Sequence, residues 1–202
     1  PPALDEQAQE AINKIANSVQ WLIVPRHPQR FDEVHQLLQA AGLTVSRRST
    51  WMAGPEAADV WLGDSLGEMA LYYGLAQVAL LGGSFEPLGG QNLIEAAACG
   101  CPLILGPSTF NFAEAAELAL EGGAAMRMDD LRQAVAHALA LVADKTRLAG
   151  MAQAAQVFAG SHRGAAERTV NALLALVHQQ RPEPVPPVPA APPEGPVEPS
   201  LD

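Results

Sequence analysis

Cysteine is scarce in this chain, with two in 202 residues, and aromatic side chains make up 5%. The two cysteines, Cys99 and Cys101, are one residue apart in an otherwise apolar stretch. That spacing suits neither a disulfide nor a C-x-x-C motif, so both read as buried small apolar groups. Basic side chains are also few: 12 Lys and Arg against 22 Asp and Glu, a formal net charge of -10. Such a balance excludes a broad nucleic-acid-binding surface. It leaves room for a small anionic ligand, because one or two arginines and a helix end suffice locally. No apolar run reaches the ~18 residues of a membrane span, and no signal-peptide pattern is visible. The expectation is a chain of cytoplasmic character. The histidines, His27, His35, His137, His162 and His178, are scattered, which argues against a histidine metal site. The fingerprints G-x-G-x-x-G after the first strand, G-x-x-x-x-G-K-[ST], G-x-S-x-G and H-E-x-x-H are all missing. No metal and no cofactor are expected.

What is present is a 49% hydrophobic chain long enough for one good core. Helical periodicity marks 5–19, with Ile12, Ile15 and Val19 on one face. WLIVP (21–25) reads as a short buried strand. PQRFDEVHQLLQAAG (28–42) reads as a helix with Phe31, Val34, Leu37, Leu38 and Ala41 inward and Gly42 as its C-cap. Further strands are expected at 43–48, 58–64, AQVALLGG (76–83), PLILG (102–106) and AAMRM (124–128). Ser65 with Glu68 predicts a capping box opening a helix through SLGEMALYYG. Helices are also expected from about Gly90 to Cys99, over 112–123, after a cap at Asp129, and over 144–179 with a break near Gly160 to Gly164.

The strands are near-continuous apolar runs alternating with helices at short spacing. That pattern predicts an α/β fold, a Rossmann-like parallel sheet with helices on both faces. Residues 181–202 differ: proline recurs throughout, so this stretch is expected to be an extended or disordered tail and an appended extension, not a binding motif. There is no internal repeat.

Ligands of open parallel sheets sit at the carboxyl ends of strands and against helix N-termini, and four polar clusters fall there. In PRHPQR (25–30), Arg26 and His27 suit a phosphate, or are ordinary surface groups. In GDSLGEM (63–69), Asp64, Ser65 and the amides of 66–68 suit a base or an anion, and equally suit helix capping. In SFEPLGGQN (84–92), Gly89 and Gly90 permit positive φ and close backbone approach. Asn92 is expected in the first turn of the next helix, with Glu95 one turn along. A carboxylate at 95 suits the vicinal hydroxyls of a ribose; its alternative is a solvent-facing side chain, although Ile94, Ala96, Ala97 and Ala98 surround it in sequence. GPSTFNF (106–112) offers Ser108, Thr109 and Asn111, the last also a candidate N-cap. No nucleophile accompanies these groups. The pattern is that of a nucleotide or sugar-nucleotide half-site, as glycosyl transfer uses to hold a leaving phosphate.

The segments VPRHPQRF (24–31), GDSLGEM (63–69) and YGLAQVALLGGSFEPLGGQNLIEAAACGCPLILGPSTFNF (73–112), in this order, resemble the C-terminal domain of the 3-deoxy-D-manno-octulosonic acid (Kdo) transferases, which glycosylate lipid A. The resemblance covers about 10–178. It implies the C-terminal, donor-binding half of a two-domain GT-B glycosyltransferase, with CMP-Kdo as donor, a lipid A precursor as acceptor, and metal-independent transfer releasing CMP. By resemblance, Arg26 meets the donor phosphate beside His27. The GDSLGEM loop receives the cytidine with Gly67 and Glu68 nearest, Gly89, Gly90 and Asn92 support the phosphate or sugar, and Glu95 holds the ribose. The parent is expected at the cytoplasmic face of the bacterial inner membrane, in lipopolysaccharide biosynthesis, and the fragment itself in solution.

The family carries a preceding half with the acceptor surface and an acidic general base, and its donor domain opens with a strand and a serine/threonine-rich loop that are not seen here. The expectation is therefore a donor-binding domain over 1–180, lacking its usual first strand, inactive by itself, and prone to self-association through an uncovered interdomain face. Two alternatives stay open: a donor domain using a UDP- or GDP-sugar, and a non-catalytic nucleotide-binding or interaction domain.

Overall fold

The computed structural model describes residues 19–162 and 165–179. The expected helix over 5–19 lies outside them except for Val19, as do the tail at 181–202 and part of the break near Gly160 to Gly164. The chain divides into two units, Pro1–Arg163 and Gly164–Asp202.

In the first unit the strands are β1 (Trp21–Ile23), β2 (Val45–Arg47), β3 (Val60–Leu62), β4 (Ala79–Leu80), β5 (Leu103–Leu105) and β6 (Ala125–Arg127). The helices are α1 (Phe31–Ala40), α2 (Met69–Leu75), α3 (Leu93–Ala98), α4 (Ala113–Glu121), α5 (Leu131–Ala143) and α6 (Lys145–Ser161). In the second unit the described element is α7 (Ala165–Gln179), on which Val170, Leu173, Leu176 and Val177 are exposed. Among the described residues no helix is long and apolar enough to cross a membrane.

Every pairing is parallel, as the apolar runs predict, but the strands form two three-stranded sheets, ordered β1-β3-β2 and β4-β5-β6. β5 is buried along its whole length, and Leu103, Ile104 and Leu105 each gain about 1.5–3 kcal/mol from leaving water. Small residues then let a helix come close: Ala96 and Ala97 of α3 share one core with Ala155 and Ala159 of α6. The turn between α3 and β5 is a Schellman motif. Gly100, at φ 78°, sends its N–H to Ala97, and Cys101 sends its own to Ala96. The same pair of bonds closes α1 at Gly42 and α4 at Gly123, so the glycine C-cap expected at 42 forms.

Several local expectations fail for physical reasons. Among the described residues β1 is a half-exposed edge strand, not a buried one, because it pairs there with β3 alone and leaves Ile23 exposed. On α1, Leu37 and Ala41 point outward, and the half-buried face is Phe31, Val34, His35 and Leu38. Ser65 caps no helix: α2 begins at Met69, because Gly67 at φ 77° interrupts the turn between Ser65 and Glu68. Asn92 is the N-cap of α3, not a first-turn residue, and accepts from the Ile94 N–H at 3.1 Å. Asp130, not Asp129, caps α5 by accepting from the Gln133 N–H at 2.8 Å. Asn111 caps nothing, since α4 opens after Phe112 without a side-chain cap. Cys101 is buried as expected, but Cys99 is exposed.

Candidate functional site

The two sheets present their carboxyl-end loops to be held by different means. After β1 the ladder continues through the Gly63 N–H, which donates to Ile23 at 2.8 Å. A Cβ on Gly63 would lie 2.9 Å from both the Tyr72 ring and Val24, so the strand end fits only glycine without a shift. The chain then leaves through Arg26 and His27. Both are exposed and, among the described residues, neither makes a side-chain hydrogen bond or ion pair. Arg30 is spent on Glu33, at 3.1 Å.

The 63–68 loop is gripped by two consecutive arginines, Arg47 at the end of β2 and Arg48 directly after it. Arg47 pairs through Nε with Asp64 at 2.6 Å, and through Nη1 with Asp32 at 2.8 Å. Ser49 adds its N–H at 2.8 Å and its hydroxyl at 2.6 Å to the same Asp64 carboxylate, whose side chain is wholly buried. Burial pushes the Asp64 carboxyl up, but the Ser49 hydrogen bonds and the Arg47 pairing together outweigh it and hold it below the ordinary carboxylate range. Arg48 donates from Nη2 to Glu68 Oε1 at 2.6 Å. The other Glu68 oxygen accepts from the Ser65 hydroxyl, which also bonds the Tyr72 hydroxyl. A carboxylate only accepts, so the single Ser65 proton goes to Glu68 and Tyr72 donates to Ser65. The Ser65 bond, then Arg48, keep Glu68 below its ordinary value despite some desolvation. Burial pushes Tyr72 up.

After β4 the loop is organised by Ser84, which is fully buried. Its hydroxyl donates to the Leu81 carbonyl at 2.5 Å and accepts from the Gly106 N–H at 2.7 Å, while its carbonyl accepts from the Ser108 N–H at 2.9 Å. Gly106 is forced by this contact: its Cβ would sit 2.3 Å from the Ser84 carbonyl oxygen. Gly89 and Gly90 both adopt φ 80°. The close approach at Gly89 is to the chain itself, since a Cβ there would lie 2.4 Å from the Asn111 amide nitrogen. Asn111 also donates its side chain to Leu88 at 3.0 Å and its N–H to Gly89 at 3.1 Å, so the loops after β4 and β5 are tied together.

One groove of about 490 Å³ runs between α2 and α3, lined by Gly67, Met69, Ala70, Glu95, Ala98 and Cys99. It brings together two of the residues singled out from sequence, Gly67 and Glu95, which are 28 positions apart. Glu95 is exposed on the groove side of α3, while its neighbours Ala96 and Ala97 fill the core. Tyr73 stands behind this wall. Burial, with the Glu95 charge adding to it, pushes the phenol up to about 12. Burial likewise pushes the Cys101 thiol up to about 11, and its Sγ lies 3.0 Å from the Tyr73 carbonyl oxygen. Arg26, His27, Gly89, Gly90 and Asn92 are not among the lining residues of this groove, and Glu68 turns its carboxylate to Arg48 and Ser65. Among the described residues there is no group of three or more His, Cys, Asp or Glu able to hold a metal ion.

Sequence reasoning passed over Arg47, Arg48, Tyr72 and Ser84. Paired arginines at a strand end, opposite a loop with an acid at each end, are the signal by which the first two could be found.

A parallel β/α scaffold with helices packed on its strands belongs to the Rossmann-like class of nucleotide-binding folds. No family model matches the chain. A crystal structure of the C-terminal CMP-Kdo binding domain of WaaA from Acinetobacter baumannii is 33% identical, covering 77% of this chain and 84% of that one, with a TM-score of 0.67. The 3-deoxy-D-manno-octulosonic acid transferase of Bordetella pertussis is 54% identical over 153 residues, 75% of this chain and 36% of that protein. The enzyme of the same name from Haemophilus influenzae is 36% identical over equal shares. The chain belongs to the 3-deoxy-D-manno-octulosonic acid transferase family. It spans about a third of the length of these full-length relatives.

Proposed function

We propose that this chain is the donor-binding part of a glycosyltransferase that moves Kdo from CMP-Kdo to a lipid A precursor in lipopolysaccharide biosynthesis, at the cytoplasmic face of the bacterial inner membrane. The observation that carries the reading is the likeness to the CMP-Kdo binding domain of the Acinetobacter protein, together with the groove that Gly67 and Glu95 share. Residues 1–180 are taken as the donor-binding domain and 181–202 as an appended tail.

In this reading Glu95 accepts hydrogen bonds from the ribose hydroxyls, a role suited to an exposed carboxylate on a groove wall. The 63–69 turn receives the cytosine through the Gly67 side of the loop, and Glu68 supports the turn from behind. Arg26, whose guanidinium is not committed to another described residue, meets the phosphate with His27. Gly89, Gly90 and Asn92 support the phosphate or sugar. The Asn92 Oδ1 is used as a helix cap, so its amide N–H groups remain for the ligand. The acceptor and the general base are assigned to another part of the parent protein. This chain alone is expected to transfer no Kdo and to bind the nucleotide weakly, and self-association would follow from an uncovered interdomain face.

Calorimetry with CMP tests the assignment. The wild-type chain should bind, and Arg26→Ala and Glu95→Ala should each weaken binding about tenfold, the scale of one charge-assisted contact. Equal affinity in all three proteins would refute the residue roles. Absence of binding by the wild type would refute the donor-site reading.

A further inference from the structure

Glu68 and Asp64 flank the turn that the proposed function gives to the base, yet neither carboxylate is directed at the groove. Asp64 is closed inside a cage of Arg47 and Ser49, and Glu68 is held by Arg48 and Ser65. Arg47 ends β2 and Arg48 opens the short helical turn that follows it, and each takes one acid of the 63–68 loop: Arg47 pairs with Asp64 and Arg48 with Glu68. Gly67, at φ 77°, sits between the two anchors and is the part of the turn that lines the groove with Met69.

The Arg48 anchor has its own support. Its guanidinium lies 5.6 Å above the Trp51 ring, Trp51 meets Trp61 edge-on at 5.7 Å, and the Trp51 Nε1–H donates to Ser46 at 2.9 Å. The Arg48 Nε–H is buried without a partner among the described residues. A guanidinium that leaves a donor unsatisfied is held by what it does elsewhere, and its firm contacts here are the Trp51 face and Glu68.

We infer that Arg48, acting through Glu68, is a positioning residue that presets the 63–69 turn for the nucleobase, with Arg47 and Asp64 fixing the other end. This rests on the donor-site reading above. A turn already in its bound geometry loses less freedom when a ligand arrives, so loosening it reduces affinity without removing a contact. The effect falls on ligands that have a base and spares those that have only the sugar phosphate.

The test measures binding of CMP and of ribose 5-phosphate to the full 202-residue chain, as wild type, Arg48→Met, Arg48→Lys and Glu68→Gln, with a thermal melt of each. Arg48→Met should weaken CMP about tenfold while ribose 5-phosphate changes less than about twofold, shrinking the advantage that the base confers. Arg48→Lys, which keeps a charge within reach of Glu68, should recover most of it. If Arg48→Met fails to melt cooperatively, Glu68→Gln, which keeps shape and removes charge, decides the matter by the same ratio. Unchanged CMP affinity, or an equal loss on both ligands, overturns the inference while leaving the donor site standing. A wild type that binds CMP no better than ribose 5-phosphate overturns the inference. A wild type that binds neither overturns the donor site with it.

Discussion

In the sheet of β4, β5 and β6 the central strand is Leu103, Ile104 and Leu105, all buried, and the helix against it contributes alanines. In the sheet of β1, β3 and β2 the central strand buries Val60 and Leu62 but leaves Trp61 half-exposed, and the edge strand β1 is partly open. The first sheet is supported by apolar burial. Its buried polar groups are Ser84 and Thr109, both neutral. The second buries an ionised carboxylate, Asp64, and closes its loops with Arg47 and Arg48. The groove lies between a helix from each, so one wall is set by packing and the other by charge pairing. Burial is indifferent to moderate changes of pH, whereas a charge cage is not, and the two walls should respond to different insults.

The largest contrast is expected from truncating the two sheets. Leu103→Ala should cost about 3 kcal/mol in urea unfolding, and Leu22→Ala on the half-exposed β1 less than about 1.5 kcal/mol. Equal losses would abolish the distinction. Next, Arg47→Met should cost about 2 kcal/mol, below the usual toll for stranding a buried charge because Ser49 still donates twice to Asp64. Its amide-exchange effect should be confined to 21–75, and a uniform rise along the chain would contradict a local cage.

Acid provides a gentler probe. The Asp64 carboxyl lies lower in the folded protein than in the unfolded chain. Its contribution is therefore complete above the ordinary value of about 3.9 and is lost as pH falls through the lower folded value. Amides of 60–68 should lose protection before those of 103–105 as pH drops below about 4, and the reverse order would break the comparison. The smallest pair concerns the α5 cap. Asp130→Ala should cost about 1 kcal/mol and Asp129→Ala less than about 0.5 kcal/mol in thermal unfolding.

The more buried sheet was also the more legible one. PLILG and AQVALLGG announce parallel strands by unbroken apolar character, and the glycines that end 112–123 mark a helix stop that Gly123 realises at φ 70°. Where side chains compete for local partners, reading by position was less reliable. Ser65 and Glu68 have capping-box spacing, and they do meet, but side chain to side chain across a left-handed glycine. Asp129 and Asp130 both have the chemistry of a cap, and only extended backbone at 130 gives one the geometry. Cys99 and Cys101 are alike in sequence, but one faces the groove and the other the core.

Of the site, Gly67 and Glu95 were named from sequence and share the groove; the roles given to Arg26, His27, Gly89, Gly90 and Asn92 stand as proposals. The sequence by itself determined the succession of strands and helices along the chain, the parallel pairing and the family, because apolar runs, glycine stops and short motifs are local along the chain. The tertiary structure alone decided that the strands form two sheets, that Glu68 turns to Arg48, and that Gly89 is glycine to admit Asn111. Each of those depends on residues far apart in the chain meeting in space, and no local pattern encodes such a meeting.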